Sequence, residues 1–87
     1  MSRLQEYVRD NRYSDIMEHA LEVNEHNQNI MHFLVIEKQY IIFDMVNFYL
    51  PPKLLKRLYD TCDDFGKTPH DYANELWSSK LILYFGY

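Results

Sequence analysis

Apolar residues fall in helical register along most of the chain. Leu4, Tyr7 and Val8 lie one turn apart, and Asp10-Asn11-Arg12 interrupts them. Ser14 then offers a helix cap, with Asp15 in the first turn, where a negative charge suits the helix dipole. Ile16, Ala20 and Val23 follow at i, i+4 and i+7, with Met17 and Leu21 alongside. Residues 1–23 therefore read as two short helices. Residues 24–29, Asn-Glu-His-Asn-Gln-Asn, are all polar and read as a loop. Asn29 is placed to cap a helix over 30–37, and Lys38-Gln39 gives a turn. Over 40–50 the pattern is helical again, with Ile41, Ile42, Met45, Val46 and Tyr49 on one side and Phe43, Phe48 and Leu50 on the other. A helix apolar on both sides is expected between two neighbours. Pro51-Pro52 ends it. Residues 53–59 form a short amphipathic helix with Leu54, Leu55 and Leu58 inside and Lys53, Lys56 and Arg57 outside. Residues 60–67 are a second polar loop containing Gly66. Thr68-Pro69-His70-Asp71 is a helix start, since Thr68 caps, Pro69 takes the first position, and Asp71 returns to the cap N–H. The helix continues over 72–76. Ser78-Ser79 marks a turn, and 80–85 is a last apolar segment. No segment alternates cleanly with a period of two, so the fold expected is all-α.

Composition narrows the class. The 87 residues fit a single domain, 1–87, and 47% are hydrophobic, which is a folding composition. Lys and Arg number 9 against 13 Asp and Glu, a net charge of −4. Neither a nucleic acid nor an anionic membrane is expected as a partner of so acidic a chain. The N-terminus lacks the apolar core of a signal peptide. No stretch reaches the roughly 18 apolar residues that span a bilayer. The single Cys62 excludes an internal disulfide and fits a reducing compartment, so the expected location is intracellular, cytoplasmic or nuclear.

The chain also repeats itself. Asn27-Gln28-Asn29-Ile30-Met31-His32-Phe33-Leu34 aligns without gaps over Gly66-Lys67-Thr68-Pro69-His70-Asp71-Tyr72-Ala73. The second stretch resembles the ankyrin-repeat motif G-x-T-P-L-H-x-A, matching at Gly66, Thr68, Pro69 and Ala73. His70 replaces the usual Leu, and Asp71 replaces the usual His, as in terminal repeats of that family. In the first stretch His32 keeps the motif position, Met31 stands for Leu, Asn29 caps as Thr would, and Asn27 takes the left-handed turn of Gly. The resemblance implies an ankyrin-type solenoid of about three units, 1–23, 24–62 and 63–87, the first lacking its hairpin. The spacing from Asn27 to Gly66 is 39 residues, against a usual repeat of about 33. The extra residues fall near 51–58. A longer unit of this kind is similar to those of inhibitors of NF-kappa-B and related viral ankyrin proteins.

The residue types that carry chemistry are present but poorly arranged for it. His19, His26 and His32 have no i, i+4 partner histidine, and no CxxC or HxxxH pattern exists, so no metal is expected. The resemblance implies instead that His32 bonds the backbone of the neighbouring loop. Ser14, Asp15 and His19 lack a Gly-rich elbow and an oxyanion loop. Ser14 reads as a cap and not as a nucleophile. Gly66-Lys67-Thr68 echoes a phosphate loop but lacks the upstream Gly. No cofactor and no enzymatic activity are expected. Asp60, Asp63 and Asp64 read as a solvated acidic loop, and Lys53, Lys56 and Arg57 as the wet face of a short helix.

What remains is an interaction module. The resemblance implies that a partner protein is bound by the loop tips and the exposed side of each first helix. By motif position these are Glu25, His26, Gln28, Phe33 and Glu37, then Asp64, Phe65, Lys67, Tyr72 and Glu75. Phe65 has little core reason to sit on a polar loop. An inhibitor-like adaptor is the narrower form of this reading. The C-terminal crowding of Leu76, Trp77, Leu81, Ile82, Leu83, Tyr84, Phe85 and Tyr87 leaves three alternatives open. The segment wraps its own core, the chain belongs to a longer stack, or Trp77, Tyr84, Phe85 and Tyr87 meet a partner or a second copy in a homodimer.

Overall fold

The computed structural model describes residues 3–77. These form six helices and no strand: α1 (Arg3–Arg9), α2 (Tyr13–Glu18), α3 (Ile30–Ile36), α4 (Tyr40–Tyr49), α5 (Pro52–Asp60) and α6 (Pro69–Leu76). The all-α class expected from the pattern is the class observed. Tyr84, Phe85, Tyr87 and the rest of the last apolar segment lie outside the described residues.

The first two helix pairs are closed by the same device. After α1, Asn11 takes a left-handed φ of 58°, and after α3, Lys38 takes 54°. The Asn11 N–H donates to the Val8 carbonyl at 3.2 Å and the Arg12 N–H to Tyr7 at 2.9 Å. The Lys38 N–H donates to Val35 at 3.1 Å and the Gln39 N–H to Leu34 at 3.0 Å. Each is a Schellman cap, which satisfies the last carbonyls of one helix and reverses the chain into the next. All four positions are offset by 27 residues.

α3 is the centre. Ile30, Met31, His32, Phe33, Leu34 and Val35 are all buried. α1 packs on one side of it through Leu4 and Val8, and α6 on the other through Ala73. α4 contributes Ile42, Phe43 and Val46 to the core, and α5 contributes Leu58. Trp77 closes the far side. Its ring is 5% exposed, sits edge-on to Tyr40 at 5.2 Å and Phe43 at 5.3 Å, and its indole N–H donates to the Val35 carbonyl at 3.0 Å.

Three expectations change. Ser14 lies inside α2, and Arg12 holds the cap position without a side-chain bond. α2 stops at Glu18 instead of continuing to Val23. His19 turns out of the helix, stacks on Tyr7 at 5.2 Å and bonds Glu22, and Leu21 and Val23 are exposed. α4 is also not sandwiched among the described residues. α4 packs on α3 through Ile42, Phe43 and Val46, and its other side is open. Ile41 is 78% exposed and Phe48 80%, with Met45 and Tyr49 also exposed beside them.

Candidate functional site: a paired loop tip

The two polar loops are built on one plan, offset by 39 residues. Asn24 opens the first and Asp63 the second. The Asn24 Oδ1 accepts the N–H groups of His26 and Gln28, each at 2.9 Å. The Asp63 Oδ1 accepts those of Phe65 at 3.0 Å and Lys67 at 2.9 Å. Such turns tie the backbone two and four residues on to one side chain. Asn24 also donates its N–H to the Gln28 carbonyl, as Asp63 does to Lys67. The left-handed position falls on Asn27 (φ 60°) and Gly66 (φ 75°). Each loop then delivers a helix cap. Asn29 caps α3 with His32 answering, and Thr68 caps α6 with Asp71 answering.

The loops are bolted to each other. The Asp64 N–H donates to the His26 carbonyl at 2.8 Å, and Asn27 Nδ2 donates to Asp64 Oδ1 at 2.7 Å. Beneath them lies a polar core. Gln28 Nε2 donates to Asp63 Oδ2 at 3.2 Å, and the Tyr72 hydroxyl donates to the same oxygen. His32 is fully buried. Its Nδ1 accepts the Asn29 N–H at 3.0 Å, which leaves Nε2 to donate to the Lys67 carbonyl at 3.0 Å. This is the neighbouring-loop backbone bond expected of His32. Burial pushes the His32 imidazole below its ordinary pKa, against the opposing pull of the Lys67 carbonyl. Burial alone would raise the Asp63 carboxyl. The donors around it, first Tyr72 and then the Lys67 N–H, Gln28 and the Phe65 N–H, outweigh that and hold it below the usual carboxylate range. The Tyr72 phenol is pushed up to about 12 by burial and by Asp63. No buried side-chain polar atom among the described residues lacks a partner.

Above this core stands an exposed tip. Phe65 is 65% exposed, and its ring lies 5.9 Å from that of His26. His26 sits between carboxylates, with Nε2 3.9 Å from Glu25 and Nδ1 3.6 Å from Asp64. On the α6 side, Lys67 Nζ is 2.8 Å from Glu75 and lies over the Tyr72 ring at 5.3 Å. The structure thus gathers Glu25, His26, Asp64 and Phe65 at the tip, with Lys67, Tyr72 and Glu75 beside them. Gln28 and Phe33 are interior instead. Gln28 is spent on the Asp63 network, and Phe33 is 3% exposed because α3 is buried on nearly every side. Glu37 caps the far end of α3 and takes Arg9 at 2.9 Å. Trp77 is likewise a core residue and offers no surface.

Asp63 is the residue that sequence reasoning misplaced. It reads as one of three solvated acids, yet it is 5% exposed. The repeat carries the missing signal. Extended three residues toward the N-terminus, the alignment sets Asp63 over Asn24, two residue types that start the same turn. Elsewhere, Asp15, Glu18 and His19 bring ligand atoms within 4.8 Å of one another. Asp15 is already met by Arg12 at 2.7 Å, and His19 by Glu22.

No protein-family model, no curated protein and no solved structure matches the chain significantly. No helix among the described residues is long and apolar enough to cross a membrane.

Proposed function

We propose that the chain is a non-catalytic protein–protein interaction module, an ankyrin-type stack of helix pairs acting as an adaptor or inhibitor. It binds a partner protein through the loop tips and the adjoining side of α6, in a reducing compartment inside the cell. Two features support the stacked reading. Helix pairs recur at an offset of 27 residues with the same cap, and loops recur at 39 with the same hydrogen bonds. α5 accounts for the longer second step, since it is inserted after α4 with no counterpart after α2.

The observation that carries the binding role is Phe65. A large ring held in water forgoes about 2 kcal/mol of burial. It sits on a loop whose backbone is fixed by Asp63, Gly66 and the neighbouring loop, so it is presented in one place. A rigid exposed aromatic is the residue type that anchors interfaces. Replacement of the exposed Phe65 by Ala is expected to weaken capture of the partner at least about tenfold while the far-UV spectrum and Tm stay near those of the parent. Unchanged capture would refute the reading.

Self-association is a second reading. The stripe Ile41, Met45 and Phe48 on α4 supports it, since these lie at i, i+4 and i+7 on one exposed face. Light scattering over a wide concentration range separates the two, because only the dimer gives a mass that rises with concentration.

A further inference from the structure

The charge around the tip specifies the chemistry of what binds there. Resting on the reading of the tip as a binding surface, we propose that it takes a cationic segment of another protein, with an Arg or Lys side chain laid against the Phe65–His26 ring pair. Phe65 is largely exposed beside the His26 ring, and Glu25 and Asp64 flank the pair at His26. Asp71 and Glu75 continue the negative side along α6. Lys67 is the cation within this surface, and it is already engaged by Glu75 and the Tyr72 ring. An arriving guanidinium or ammonium gains a ring contact and a charge-assisted hydrogen bond in one place. An acidic segment meets Glu25, Asp64, Asp71 and Glu75 against a single lysine already paired, and a purely apolar one strips water from carboxylates without replacing it. Phosphate-bearing partners are repelled for the same reason.

A second copy of the chain is the competing source of such a segment, since α5 carries Lys53, Lys56 and Arg57 on its exposed side. Its contribution is distinguished in the test. The full chain, labelled with nitrogen-15, is titrated with a short peptide alternating Arg and Gly and with its Glu–Gly counterpart. The result expected is saturable movement of the amide signals of Glu25, His26, Asp64, Phe65 and Lys67 by the Arg peptide alone, weakening with salt. Glu25→Gln, which removes a charge with no structural bond, should lower the affinity several-fold, and Asp64→Lys about tenfold or more. Movement centred on Glu6, Asp10, Glu18 and Glu22 near the N-terminus, equal response to the Glu peptide, or no response overturns the inference. So does a rise of mass in the free chain that is lost on Lys56→Glu, which would assign the tip to α5 of another copy. Cross-links from position 65 to a neutral or acidic partner segment would also overturn it, and would leave the binding role of the tip standing.

Discussion

Asp63 joins both loops, and its removal is the sharpest test at the scale of a residue. Its two oxygens accept from two backbone N–H groups, from Gln28 and from Tyr72. Asn at this position turns an acceptor into a donor facing other donors. The expected cost of Asp63→Asn is about 2 kcal/mol, or roughly 10 °C in Tm for a domain of this size, read by thermal unfolding. Acid should act in the same direction. His32 is held neutral with its pKa below the unfolded value of 6.5. The unfolded chain therefore binds the proton first, and the stability His32 gives is present above pH 6.5 and lost as pH falls toward the folded value. Asp63 adds a second loss below pH 3.8, as pH drops through its own depressed value. The urea midpoint should fall between about pH 7.5 and pH 5, and His32→Gln should flatten that limb.

At the scale of elements, the equivalence of the two loops makes a substitution test of its own. Gly66 and Asn27 occupy the same left-handed position. Gly66→Asn borrows the residue used 39 positions earlier and should be nearly neutral. Gly66→Ala should cost about 1–2 kcal/mol, because Ala has no polar group to favour that conformation. No atom crowds an added Cβ there, so the difference isolates the backbone. Trp77→Ala should cost about 3–5 kcal/mol in urea unfolding, since it opens a cavity and removes the indole bond to the Val35 carbonyl. Much at this scale was legible beforehand. Asn29 and Thr68 were readable as caps because capping chemistry is local, and Pro51-Pro52 stops α4 whatever surrounds it. The end of α2 was not legible. Leu21 and Val23 continue a helical register, but His19 leaves the helix for Tyr7, a contact made by another element. Periodicity reports which residues match a helix and not which of them find a neighbour. For the same reason it could not show that one side of α4 stays exposed, nor that Phe33 and Trp77 are interior. Phe65 was legible as a surface aromatic because nothing in a polar loop offers it a core.

For the whole molecule, the two exposed surfaces of interest come from different elements. The acidic tip formed by Glu25, Asp64 and Phe65 is contributed by the loops, whereas the stripe of Ile41, Met45 and Phe48 belongs to α4. Ile41→Glu with Phe48→Glu should leave Tm within a few degrees, as exposed positions do. If the stripe pairs two copies, the same change makes the chain monomeric by light scattering. The tip reading is tested most directly by a photo-reactive amino acid at position 65, compared with the same group at Lys56 on α5, in the cells where the protein works. The account predicts that position 65 cross-links to one partner protein, that Lys56 does not, and that Asp64→Lys abolishes the product. The same products from both positions, or none from position 65, would contradict it.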